Sequence, residues 1–198
     1  MARAQAFEAL AARYRDDDDA QIFTALYVAG TQSQADQTYA AYLKPAAILK
    51  RQFAKHPDHP GIAHRLIHSC DAPPIADKGL LAARRYATLA PDATHALHML
   101  SRIFTQVGAW QDAASTNRRS AVVAKKDDNE NRVSHAADYM VYAQLQLGRE
   151  QAARQVLDAF TREIKTTPAV FFGPYAAVAI PARLALERGN WSAAAQLP

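Results

Sequence analysis

Gly108-Ala109-Trp110-Gln111-Asp112-Ala113, Gly148-Arg149-Glu150-Gln151-Ala152-Ala153 and Gly189-Asn190-Trp191-Ser192-Ala193-Ala194 are three copies of one pattern, their glycines 40 and then 41 residues apart. Each copy lies between two stretches whose apolar residues recur every three or four positions, the period of an amphipathic helix. A glycine at such a junction ends the first helix, because it enters the left-handed region without a Cβ clash. The small Ala four or five positions on lets the second helix pack closely. Units of this kind cannot bury their apolar faces alone and stack on their neighbours. The pattern predicts an all-α fold built from antiparallel helix pairs, about 10–11 helices in a single domain over residues 1–198.

Composition agrees. Of 198 residues, 49% are hydrophobic and only 7 are Gly, while Ala makes up more than a fifth of the chain. Ala loses no side-chain entropy in a helix, so this balance favours helix over sheet. A single Cys excludes an intramolecular disulfide framework and a thiolate zinc cage built from this chain alone. No run approaches the roughly 18 apolar residues that read as a membrane span. The N-terminal residues carry no apolar signal region, so a cytoplasmic location is expected for the chain as it stands.

The net charge of +4 comes from 23 basic and 19 acidic residues, interleaved along the chain. No basic stripe with aromatic partners is present, so nucleic acid is not an expected partner. The run Asp16 to Asp19 precedes an apolar helical stretch, where acids cap free N–H groups and favour the helix dipole.

Helices are expected over about 35–55, with Pro45 marking a break or kink, and over about 93–108, 110–125, 132–148, 150–166 and 174–188. His56-Pro57-Asp58-His59-Pro60-Gly61 punctuates the chain, and its Pro60 and Gly61 can open the next helix. Another helix begins at Pro73-Pro74. Phe104, Trp110, Tyr142, Phe171 and Phe172 fall at helical spacing or turns and read as core.

The seven histidines are unevenly placed. His64 and His68 are four apart, and His95 and His98 three apart, so each pair projects from one face of its helix. Two such pairs can supply the nitrogen ligands of a divalent transition metal such as Zn, Cu or Ni, with Asp71 adding an oxygen or orienting a ring. His135, with Asp138 and Tyr139 one turn on, is expected to face the same groove from another helix. A thermolysin-like site is disfavoured, since Arg65 stands where a Glu must follow the first His. Cys70 and His68, two apart, point to different sides, so the thiol reads as small and buried rather than nucleophilic.

Gly–x–aromatic–x–x–Ala at a helix turn resembles the tetratricopeptide repeat, with a period longer than its usual length of about 34 residues. The resemblance extends to a family of bacterial tetratricopeptide-repeat-containing proteins. It rests on His56 to His68 (HPDHPGIAHRLIH), Ala90 to Met99 (APDATHALHM), Ile103-Phe104-Thr105, Asn117, His135 with Asp138-Tyr139, and Pro181 to Trp191. That family carries Tyr at the position of Arg65 and Pro-Ser-His at Leu100-Ser101-Arg102, so a cation here replaces a third histidine. The resemblance implies a right-handed superhelical array, a tetratricopeptide-like α-solenoid, and assigns little chemistry. Its members are longer and often exported, so the chain is expected to be an interior piece of a longer design, exported if so, or a naturally shortened version.

Two functions follow as expectations. The first is a binding module whose concave groove, lined by His98, Arg102, Asn117 and Tyr139, receives a peptide, protein or small ligand. The second is a metal-dependent enzyme, most simply a hydrolase. Its metal would be held by His64, His68, His95, His98 and Asp71, with Asp71 or Asp138 as base or orienting group; a metal-free version of such an enzyme would instead use one imidazole, His64 or His135, as general base. Self-association through exposed array ends would accompany either.

Overall fold

The computed structural model of the chain describes residues 2–33, 35–163 and 172–197. Phe171 and the expected end of the 150–166 helix lie outside the described residues. Among the described residues the secondary structure is all-α, with eleven α-helices, one 3-10 helix and no strand. None of these helices is long and apolar enough to cross a membrane. The chain divides into two compact units, residues 1–90 and 91–198.

The first unit contains α1 (Ala2–Arg13), α2 (Asp18–Ala29), α3 (Ala40–Lys55), α4 (Pro60–His68), a 3-10 helix (Pro73–Gly79) and α5 (Leu80–Leu89). Each α-helix packs against the next, around a core that includes Leu49, Ile62, Ile67 and Cys70. The aspartate run caps α2 as expected: Asp17 Oδ1 accepts the Ala20 N–H at 2.9 Å. Asp18 is held well below the usual carboxylate range by hydrogen bonds from His56 and Lys55, each at 2.7 Å. His59 caps α4, its ring Nδ1 accepting from the N–H groups of Gly61 and Ile62 at 3.1 and 3.3 Å.

Two boundaries differ from expectation. Helix α3 starts at Ala40 rather than near residue 35, because Tyr39 takes the left-handed conformation at φ 56°. It then runs unbroken through Pro45, which sits in its second turn and forfeits one N–H bond. The segment after Pro73 opens as a 3-10 helix and becomes α-helical only at Leu80.

The second unit contains α6 (Thr94–Gln106), α7 (Trp110–Lys126), α8 (Glu130–Gln146), α9 (Glu150–Glu163), α10 (Phe172–Leu186) and α11 (Trp191–Ala194). The three repeat glycines join α6 to α7, α8 to α9 and α10 to α11, with φ of 75°, 70° and 61°. Each turn closes the preceding helix with the same pair of backbone bonds. At Gly148 these run from its N–H to Leu145 and from Arg149 N–H to Gln144, both 2.9 Å. Ala113 and Ala153, one turn into the second helices, are completely buried. Helix α8 packs against α6, α7, α9 and α10.

The α7–α8 junction makes the same turn without a glycine. Asp128 is left-handed at φ 49°, and Asn129 N–H bonds back to Ala124 at 2.9 Å. The two residue types give a reciprocal prediction. Gly148 has open space around it, so Gly148→Ala adds only backbone strain and is expected to cost about 1 kcal/mol. Asp128 is exposed, and Asp128→Gly relieves the same strain and should stabilise by about 0.5 kcal/mol. Urea midpoints of the two variants should move in opposite directions, and parallel shifts would refute this reading of the turns.

Candidate functional site

The pocket that gathers the most chemistry lies within the second unit, on α6, α8 and α10. It has a volume of about 290 Å³ and is lined by Thr105 of α6, by His135, Asp138, Tyr139 and Tyr142 of α8, and by Phe172, Tyr175 and Arg183 of α10. Positions 135, 138, 139 and 142 share one face of α8, since they are three, four and seven residues apart. His135 stacks on Phe172 with ring centroids 4.0 Å apart and meets Tyr139 edge-on at 5.3 Å. The Tyr142 ring lies beneath the Arg183 guanidinium at 5.2 Å and edge-on to Trp110 at 5.5 Å.

Asp138 and Arg183 form the charged part of the wall. The guanidinium spans both carboxylate oxygens, at 2.7 and 3.3 Å, and Asp138 is only 3% exposed. A buried carboxylate requires such a partner.

Behind the pocket, His98 of α6 packs against His135, their ring centroids 4.1 Å apart, and meets Tyr139 edge-on at 4.9 Å. His98 is 4% exposed, and its Nδ1 lies 3.3 Å from Asn117 Oδ1. The Asn117 amide nitrogen donates to Ala113 at 2.9 Å, so its oxygen faces the ring and His98 donates from Nδ1. The Nε2 of His98 is then the bare acceptor nitrogen, buried and without a hydrogen-bond partner. Burial pushes His98 down to about 3, with His135, Arg102 and Arg132 adding to the effect against the Asn117 hydrogen bond. Burial likewise takes His135 down to about 4, opposed by Asp138 and assisted by Arg102, Arg132 and His95. Both rings are neutral at pH 7.

The site therefore unites His98, Asn117, His135, Asp138 and Tyr139 from the sequence expectations, with Arg102 close enough to act on both imidazoles. His95 takes a different partner: its Nδ1 accepts from the Arg132 guanidinium at 3.3 Å. Thr105, Tyr142, Phe172, Tyr175 and Arg183 were not expected in the site. Tyr142 and Phe172 read as core in the sequence but line the pocket. The i+7 spacing of Tyr142 from His135 was a usable signal, whereas Arg183 is brought in by α10 from 45 residues away.

In the first unit, His64 and His68 meet across one turn of α4, Nε2 to Nε2 at 2.9 Å, and His64 stacks on Tyr86 with centroids 5.7 Å apart. Asp71 follows in the turn after α4, where its N–H approaches the His68 carbonyl at 3.4 Å. Cys70 is completely buried, and burial pushes its thiol up to about 11, as an inert core residue requires.

No family model matches the chain, and no curated protein matches it. Function is therefore argued from the chemistry of the sites themselves.

Proposed function

We propose that the second unit is a tetratricopeptide-like module, its helix pairs stacked in a right-handed superhelical sense, that binds a ligand on the face formed by α6, α8 and α10. One observation carries this reading. The pocket is walled by His135 and four aromatic rings, and two buried polar atoms of its lining, Thr105 Oγ1 and His135 Nδ1, have no hydrogen-bond partner in the protein. Buried polar atoms are nearly always satisfied, so two orphans in one pocket wall suit a polar group supplied from outside.

The size limits the occupant. A volume of about 290 Å³ lies at the lower end of the roughly 300–1,000 Å³ usual for small-molecule sites. It suits one aromatic or branched side chain of a peptide, or a small molecule of similar bulk. Rings supply contact area, while Arg183, though paired with Asp138, presents N–H groups to a carboxylate or carbonyl.

The test is a titration with 4-hydroxyphenylacetate and N-acetyl-tyrosine amide, followed through Trp110, whose ring touches the pocket wall at Tyr142. Saturable binding is expected for at least one probe. Tyr175→Ala opens one wall without touching the core and should weaken that binding at least tenfold. Binding unchanged by that substitution would overturn the assignment.

A further inference from the structure

Of the histidines expected to hold a metal, His64 and His68 stand together on α4 within the first unit. We propose that His64 and His68 form a bidentate chelate on α4 for a divalent cation that favours tetragonal coordination, Cu(II) or Ni(II).

Two distances carry this. The two Nε2 atoms are 2.9 Å apart and the ring centroids 4.7 Å apart. A ring centroid lies about 1.1–1.2 Å from its own Nε2, so rings meeting head-on through those nitrogens would place their centroids about 5.2 Å apart. The observed 4.7 Å is shorter, so the two Nε2–centroid axes are bent toward each other rather than collinear. Two nitrogens each about 2.05 Å from one cation stand about 2.9 Å apart at a right angle and about 3.3 Å apart at the tetrahedral angle. At a right angle the centroids would be about 4.5 Å apart. Both observed distances therefore fit a cis pair in a square-planar or tetragonal site with little movement, and a tetrahedral Zn(II) site only after the rings open.

The surroundings hold the pair in place. His64 stacks nearly parallel to Tyr86 of α5, at 15° between ring planes. Both histidines are half-buried, and they stand on a helix whose other face, Ile62, Ala63, Leu66 and Ile67, is locked in the core. A rigid helix fixes the separation of its i and i+4 side chains, so little ordering entropy is lost on binding. Waters or other donors complete the coordination. This proposal does not rest on the α6/α8/α10 pocket, and failure of either reading leaves the other standing.

The experiment is a calorimetric titration of the untagged 198-residue chain with Cu(II), and separately with Ni(II) and Zn(II), at pH 7.5. One Cu(II) per chain is expected, with a dissociation constant on the order of micromolar or tighter. His64→Gln and His68→Gln should each weaken it at least tenfold, whereas His56→Gln, at an exposed histidine paired with Asp18, should leave it unchanged. Paramagnetic resonance of the Cu(II) form should show coupling to two imidazole nitrogens in the parent and one in either variant. If a variant does not fold, thermal melts of the parent still decide: a saturating, stoichiometric rise in Tm with Cu(II) is expected. Cu(II) binding equal in parent and both variants, a spectrum without two imidazole nitrogens, or a Tm unmoved by Cu(II) would overturn the proposal.

Discussion

Acidification from pH 7 to 5 is expected to destabilise the second unit by about 3 kcal/mol. His98 and His135 are held to about 3 and 4 in the folded protein, against an ordinary value of 6.5. Between these limits the unfolded chain binds more protons than the folded one, so stability rises with pH and falls as pH drops through 6.5. At pH 5 His98 contributes a loss of about 2 kcal/mol and His135, partly exposed and so screened by solvent, about 1 kcal/mol, and the loss is complete only below the folded values. Both tryptophans, Trp110 and Trp191, lie in the second unit, so their emission reports its unfolding selectively. The urea midpoint read this way should fall steeply from pH 7 to 5. His98→Gln keeps a group that can hydrogen-bond Asn117 but does not titrate, and should remove most of the pH dependence. A midpoint flat over this range would show that the two rings are not held neutral by burial.

The second large effect is expected from Arg183→Ala. That substitution leaves Asp138, 3% exposed, without its bidentate partner. An uncompensated buried charge usually costs about 3–5 kcal/mol, and the figure here should be nearer 2–3, because the Arg183 side chain is one-third exposed. Arg183→Lys restores the charge but not the planar fork, so partial recovery is expected. Asp138→Ala combined with Arg183→Ala should cost less than the sum of the single substitutions, as groups in direct contact couple. Strict additivity in denaturant melts would mean that the pair is not formed in solution.

The legible part of the fold was local. A glycine 40 or 41 residues from the next, each followed by small residues, marked three helix ends, and all three take the left-handed turn. Asp128 makes an equivalent turn and was invisible, since an exposed Asp tolerates that conformation without being reserved for it. Pro45 read as a break because proline removes a helical bond, yet α3 runs through it with that one bond forfeited.

The site divides along the same line. Residues one or two turns apart on one helix, such as His64 with His68 or His135 with Asp138 and Tyr139, could be grouped from spacing alone. What spacing could not supply was the partner across the helix interface. His95 and His98 share a face of α6 but take Arg132 of α8 and Asn117 of α7 respectively, because two different helices pack against that face. Arg183 and Phe172 enter the site only through the packing of α10 on α8.

The most direct test of the binding role is a threonine-methyl NMR screen of the intact chain against a library of small aromatic acids and short tyrosine- or phenylalanine-containing peptides. Thr105 lines the pocket, and its buried hydroxyl lacks a protein partner, so its methyl group reports on occupancy at that spot. The expected result is a saturable shift of the Thr105 methyl with at least one compound, lost in Tyr175→Ala. Shifts confined to threonines of the first unit, or none across the library, would contradict a ligand site on α6, α8 and α10.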